Sequence, residues 1–244
     1  MTQEPFRDRG PIPNVDAESV LLNGDIEILG RMPWSSNATL LCDIEADGTL
    51  LQGVYKPLQG EQPLWDFPSG LYMREVASYR LSEALGWSLI PPTVLRDGPL
   101  GIGSIQLFVP CDFQQHYFHF LEDEQHHHSL KRFCAFDVAA NSTDRKGGHL
   151  VVDGQDALWG IDNGLTFHAE FKLRTVIWDW AGQEIPADIR EDLQAFLEAG
   201  LPDDLADLLD PFERDAVLTR ARALVRVGEF PTDPTGRRHP WPLV

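Results

Sequence analysis

The chain has 244 residues, 43% hydrophobic and 24% charged, enough for one two-lobed domain or two small ones with a substantial core. Its 38 acidic against 20 basic residues leave a formal charge of −18, which disfavours nucleic acid as a partner, because polyanions are held through Lys and Arg, and allows at most transient contact with anionic membranes. No apolar run approaches the roughly 18–20 residues of a bilayer span. The start, Met1-Thr2-Gln3-Glu4-Pro5, lacks the basic and apolar regions of a secretory signal. Cys42, Cys111 and Cys134 have no metal-like spacing, so they read as reduced thiols of a cytoplasmic protein.

Residues 1–24 read as an N-terminal extension, with one short helix from Asp16 to Leu22 before Asn23-Gly24. Three antiparallel strands are expected next, Ile26–Gly30, Thr39–Ile44 and Leu50–Lys56, with a polar, phosphate-sized loop Pro33–Asn37 between the first two and a turn at Ala46-Asp47-Gly48. After the loop Gln59–Ser69, a helix runs from Ser69 or Gly70 to about Gly86. Its apolar positions Met73, Val76, Ala77, Leu81, Ala84 and Leu85 follow helical spacing. Strands Pro91–Leu95 and Gly103–Pro110 around Asp97-Gly98-Pro99 complete a β-rich N-lobe over residues 25–110. Residues 111–228 turn helical: Leu130–Ala140, then a hairpin of Leu150–Val152 and Ala157–Ile161 with His149 and Asp162 at its outer ends, then helices Ile185–Ala199 and Pro211–Val227. Phe171, Trp178 and Trp180 serve as core or as a lid. The Pro-rich tail, 229–244, reads as an extended surface strap. The fold class is therefore α+β.

Two aspartates in short polar loops, each after an apolar run, supply what metal-assisted phosphoryl transfer needs: a carboxylate for the proton of the attacking hydroxyl and one for the magnesium on the phosphates. Asp144, in Asn141-Ser142-Thr143-Asp144-Arg145, suits the first role, and Asp162, in Ile161-Asp162-Asn163-Gly164, the second. Either alone is a weak signal, since Asp-Asn-Gly is first of all a good turn. Upstream, Lys56 at a strand end offers a cation for the α/β phosphates. Glu75 in the next helix, on the face away from Val76 and Leu81 and so exposed, is the natural carboxylate to hold it. Ser35, Ser36 and Asn37 add donors for the terminal phosphate. Gln106, Leu107, Phe108 and Val109 read as the linker whose backbone meets an adenine edge. Asn141 and Asp137 are expected to be structural, and Arg145 to brace its loop. His126-His127-His128, with His116 and His119, invites a zinc reading, but no acidic or cysteine partner stands at helical spacing, and the run reads as an exposed loop.

Taken as ordered blocks, Ser35-Ser36-Asn37-Ala38-Thr39-Leu40, Gly53-Val54-Tyr55-Lys56-Pro57, Gly103–Val109, Asp137–Arg145 and Ile161–Phe167 resemble the phosphatidylinositol 3-/4-kinase family, closest to its type II 4-kinase branch. The likeness is clear over roughly 28–167. It implies a two-lobed kinase-like fold with ATP and Mg²⁺ or Mn²⁺ between the lobes. It assigns Lys56 to the phosphates, Glu75 as its partner, Ser35 and Ser36 to the phosphate loop, and Gln106 and Phe108 to the adenine linker. Leu165 lies under the base, Asp144 is catalytic and Asp162 binds metal. The acceptor it implies is an inositol-lipid headgroup, with a protein hydroxyl as the other option. Two departures stand out. His149 sits where the family carries a metal-binding Asn, and imidazole suits Mn²⁺ better than Mg²⁺. The segment Leu58–Ser69 lacks the cysteine-rich lipid-anchoring insert. A nucleotide-binding pseudoenzyme acting as scaffold and a nucleotidyl transferase are the alternatives.

Overall fold

The structure, a computed structural model, describes residues 14–32 and 38–244; the expected phosphate loop with Ser35, Ser36 and Asn37 lies outside the described residues. In chain order the elements are α1 (Asn14–Asn23), β1 (Asp25–Arg31), β2 (Leu40–Ala46), β3 (Thr49–Pro57), α2 (Leu71–Ala84), β4 (Thr93–Gly98) and β5 (Gly101–Leu107). Then come α3 (Tyr117–Phe120), α4 (His127–Ala140), β6 (Leu150–Val152), β7 (Leu158–Gly160), α5 (Ala187–Ala199), α6 (Asp203–Ala206) and α7 (Pro211–Val227). The α+β expectation holds: an antiparallel sheet first, a mainly helical half after it.

The first five strands pair antiparallel in the order β1-β2-β3-β5-β4. The β2–β3 hairpin closes tightly because Asp47 and Gly48 both take positive φ, 50° and 79°, the geometry that Asp-Gly favours in a two-residue turn. At Gly103 of β5 an added Cβ would lie 2.4 Å from the Lys56 carbonyl oxygen, so only glycine lets the two strands meet beside the lysine. Helix α1 packs on this sheet, placing Ala17 and Leu21 with Ile44, Leu51, Tyr55 and Ile105 in one core cluster. Its burial there makes it part of the N-terminal half.

The second core is centred on α4, whose Leu130, Phe133 and Phe136 are fully buried against α5 and α7 residues such as Leu193 and Val217. Helix α2 belongs to this cluster through Ala77, Tyr79 and Leu81, and so joins the two halves. A buried ion pair adds to the joint: Arg74 of α2 donates to Glu213 of α7 and, at 2.5 Å, to the Thr166 carbonyl. The histidine run corrects the exposed-loop expectation. His126–His128 lead into the first turn of α4, with His126 buried against Phe120, His127 half-buried against Trp180 and His128 exposed. Trp180 is core, Trp178 is half-buried, and Phe171 is exposed under the Arg238 guanidinium. Among the described residues no helix is long and apolar enough to cross a membrane.

Candidate active site

Three distant stretches deliver the charged groups. Lys56, near the end of β3, donates through its ammonium to Glu75 of α2 and, at 2.8 Å, to Asp162 just past β7. Glu75 is 2% exposed, which overturns the expectation of a solvent-facing residue. The helical period identified one apolar stripe, but α2 lies between the two halves, so its opposite face meets protein rather than water. The second Glu75 oxygen accepts the Asn163 amide at 2.9 Å. One carboxylate thus ties the lysine strand to the loop carrying Asp162.

Burial alone would lower the Lys56 pKa, but Asp162 and Glu75 outweigh it and hold the ammonium well above its ordinary value. Reciprocally, the Lys56 ammonium pulls the Asp162 carboxyl far below the usual carboxylate range. Both groups are charged throughout the physiological range. Asp162 has φ 57°, a left-handed conformation that aspartate tolerates better than most residues and that recurs at functional sites. The side chain is 58% exposed, opening toward the cavity.

The Asp144 loop is fixed from behind. Helix α4 stops at Asn141, which has φ 55° and whose side chain bonds the carbonyls of His168 (2.8 Å) and Glu170 (2.7 Å) and the amide of Lys172 (2.9 Å). Fully buried Asp137 accepts from Arg145 Nε (3.0 Å), Ser142 (2.8 Å) and Thr175 (2.9 Å). Arg145 also donates to the Ile161 carbonyl at 3.2 Å and to Asn163 Oδ1 at 2.8 Å. A single buried guanidinium therefore fixes the Asp144 loop to the Asp162 loop, as the bracing expectation required. Asp144 itself faces the cavity and accepts from Lys146 Nζ at 2.6 Å.

These groups line one cavity of about 770 Å³, a size suited to a nucleotide. Its charged end holds Lys56, Asp144, His149 and Asp162, and its apolar part holds Val54, Phe108, Val109 and Leu165. The Leu165 carbonyl accepts from the Thr143 amide at 2.9 Å, which sets the height of that floor against the Asp144 loop. The linker begins later than the sequence implies. Gln106 and Leu107 belong to β5, and the Gln106 side chain donates to Thr93 Oγ1 at 2.9 Å inside the sheet. The Leu107 and Phe108 amides are taken by the carbonyls of Pro92 (2.8 Å) and Gln52 (2.9 Å). Strand pairing consumes the donors that the motif alone assigns to a base, and Val109 is the first linker residue past them.

His149 Nε2 lies 3.5 Å from Asp162 Oδ2, and burial lowers the imidazole pKa, so the ring is neutral and able to ligate. Among the described residues no group of three or more His, Cys, Asp or Glu side chains forms a closed metal site. The arrangement fits an ion held by two protein donors and completed by phosphate oxygens, the usual pattern for nucleotide-bound cations. Four contributors lie outside the sequence reading: Lys146, Asn163, Pro242 and Val244. Lys146 was legible in principle, because residues two apart in an extended loop share a side. The Asn163 bridge and the cavity-facing Pro242 and Val244 of the tail carried no local signal.

No protein-family model matches the chain. In sequence it is 39% identical to Protein Rv2133c of Mycobacterium tuberculosis (strain ATCC 25618 / H37Rv), in a 267-residue alignment covering 93% of this chain and 95% of that protein. The chain belongs to the Rv2133c family. In structure this Rv2133c-family chain is similar to the Golgi casein kinase with Mn/ADP bound, with TM-score 0.59 and 13% identity over 87% of this chain and 74% of that one. It is also similar to the Helicobacter pylori proinflammatory kinase CtkA, with TM-score 0.52 and 8% identity over 86% and 94%. At such identities the likeness shows the fold, which is kinase-like.

Proposed function

We propose that this protein is an ATP-dependent phosphotransferase acting on an alcohol, with the nucleotide lying between residues 25–110 and residues 111–228. The observation that carries the reading is the convergence of Lys56, Asp144 and Asp162 on one cavity, with Lys56 held by Glu75. In this reading Lys56 binds the α/β phosphates and Glu75 orients it. Val54 and Leu165 enclose the base, and Val109 offers the linker amide. Asp162 and His149 would hold Mg²⁺ or Mn²⁺, which supplies charge neutralisation on the phosphates. Asp144 accepts the proton of the acceptor hydroxyl as its oxygen bonds to the γ-phosphorus. The bond from that phosphorus to the β-γ bridging oxygen breaks, and ADP leaves with the electron pair. Lys146, bonded to Asp144, orients that carboxylate and can follow the phosphoryl group. The Golgi casein kinase neighbour, solved with Mn/ADP, supports a manganese-tolerant nucleotide site. The motif likeness to type II phosphatidylinositol 4-kinases supports an inositol-lipid headgroup as acceptor, and the fold likeness to protein kinases supports a protein hydroxyl.

The test is turnover of labelled ATP with Mg²⁺ or Mn²⁺ by the wild type and by Asp144→Asn. Loss of transfer with ATP binding intact is expected. The Lys56–Asp162 contact favours one competing reading, a nucleotide-binding scaffold, because it occupies the carboxylate a metal needs. Equal, negligible turnover in both proteins with ATP still bound would establish the scaffold instead, and AMP found on protein would indicate a nucleotidyl transferase.

A further inference from the structure

The tail, expected as a surface strap, reaches the site. It is anchored at Arg238, whose carbonyl accepts from the Thr175 amide (3.1 Å) and from Trp178 Nε1 (3.1 Å) and whose amide donates to Asp233 (2.8 Å). Beyond that anchor Trp241 is almost wholly exposed, whereas Pro242 and Val244 line the cavity that holds Asp144. The Gly147 amide, three residues past Asp144, donates to the Leu243 carbonyl at 2.7 Å. Around that bond a Cβ on Gly147 would stand 3.3 Å from Leu243 O, 3.3 Å from a Val244 methyl and 3.4 Å from Phe118.

A backbone amide three residues past the proposed catalytic carboxylate, with the Phe118 ring near it and already paired to an extended chain, is a seat for polypeptide main chain. A lipid headgroup has no use for that pairing geometry. We propose that 241–244 occupy the acceptor seat, and that the acceptor is an extended polypeptide that displaces this segment, pairs with Gly147 and presents a serine or threonine hydroxyl to Asp144. This rests on the phosphotransferase reading for the hydroxyl, though not for the seat. The strap competes as a tethered ligand at high effective concentration. A neutral hydrogen bond with a small apolar contact is worth about a factor of five to ten in that competition.

The seat is tested on the full chain without relying on turnover. A fluorescein-labelled peptide of sequence His-Pro-Trp-Pro-Leu-Val, matching 239–244, is titrated against wild type and against the Pro242→Gly/Val244→Gly variant by anisotropy. The variant, whose own strap has lost its cavity-facing side chains, is expected to bind the peptide at least fivefold tighter. Gly147→Ala is expected to give no such gain, because its methyl would stand 3.3 Å from the Leu243 carbonyl oxygen and crowds the seat for strap and peptide alike. Equal affinity of wild type and the double variant overturns the seat. Transfer is then compared between random peptides containing one serine or threonine and phosphatidylinositol vesicles. Peptide kcat/KM is expected to rise at least fivefold in the double variant with the ATP KM unchanged. Phosphorylation of vesicles and not peptides, or a higher peptide KM in the variant, overturns the acceptor assignment. No transfer by any protein to either acceptor refutes the phosphotransferase reading and the acceptor class with it, while the anisotropy result still decides the seat.

Discussion

Substituting Glu213 by alanine removes one half of the ion pair that joins α2 to α7. Both side chains are nearly inaccessible, 6% exposed for Arg74 and 7% for Glu213. Among the described residues Arg74 would retain the Thr166 carbonyl and the Phe67 ring, whose centroid lies 4.9 Å from the guanidinium. Leaving a buried guanidinium without its counter-charge costs about 3–5 kcal/mol. Glu213 also accepts the Asp210 amide at 3.1 Å in the capping box of α7, and a lost cap adds roughly 1 kcal/mol. For a chain of 244 residues, about 4–6 kcal/mol corresponds to a fall in Tm on the order of 8–24 °C. The assay is thermal unfolding of wild type, Glu213→Ala and the double variant Arg74→Met/Glu213→Leu at one protein concentration. The double variant removes both charges at similar volume and is expected to recover most of the loss, short by about 2 kcal/mol, for the Thr166 carbonyl that loses its donor and the Asp210 amide that loses its cap. Arg74 precedes Glu75, so the single variant should also raise the KM for ATP although it lies outside the cavity. A single variant within about 1 kcal/mol of wild type, or a double variant no better than the single, would refute the claim that this pair fixes α2.

Asp144→Asn is expected to lower kcat by about 10²–10⁴, the usual worth of a positioned base, with the ATP Kd unchanged; an equal loss of ATP affinity would count against that role. His149→Asn should move the ratio of Mg²⁺-supported to Mn²⁺-supported kcat/KM toward Mg²⁺, because an oxygen donor replaces imidazole, and an unchanged ratio would remove His149 from the metal site. Gly103→Ala would place a methyl 2.4 Å from Lys56 O and 2.7 Å from Pro57 Cα, so a loss of about 1–3 kcal/mol and a raised ATP KM are expected. Gly30→Ala, with nothing within 4 Å, is the control and should leave stability near wild type. Burial, with Asp43 and Asp112 adding to it, pushes the Cys42 thiol up to about 12 and the Cys111 thiol up to about 11. A raised pKa preserves the unreactive thiol below that value, so Ellman's reagent at pH 8 should label neither until the chain is unfolded in urea. Rapid labelling of half-buried Cys111 in the folded protein would contradict its raised pKa.

How much of this was legible in the sequence depended on whether a feature is local. The Asp47-Gly48 turn, the lysine at the end of its strand and the Asp162 loop after a short hairpin are each encoded within a few residues, and the structure places them accordingly. The exposure of Glu75 was misread because a helical period identifies one buried face and cannot reveal a second. The contact of Arg74 with Glu213 spans 139 positions in sequence, and the seat of Leu243 on Gly147 is a single backbone bond; neither leaves a local pattern. Gln106 reads as linker from a motif that continues past the strand, whereas pairing with Val54 and Thr93 extends β5 through it.

The chain solves a recurring problem in the same way at three places. Charged groups must face a cavity and yet be held to a fraction of an ångström, and a group that spends its bonds on structure has none left for a ligand. Here neighbours divide the work. Asp144 faces the cavity while Arg145 is buried on Asp137 and Asn163. Asp162 faces the cavity while Asn163 donates its amide to Glu75 and its side chain to the Gly160 carbonyl. Glu75 holds Lys56 while Arg74 anchors α2 to the far half. Consecutive side chains point in different directions on any backbone, opposite in an extended loop and about a quarter-turn apart on a helix. A dipeptide is therefore the shortest unit that can both present a charge and secure it. It follows that Arg145→Lys, which retains the cation but not the fork reaching Asp137, Ile161 and Asn163, should damage turnover nearly as much as stability. It would do so without touching the nucleotide.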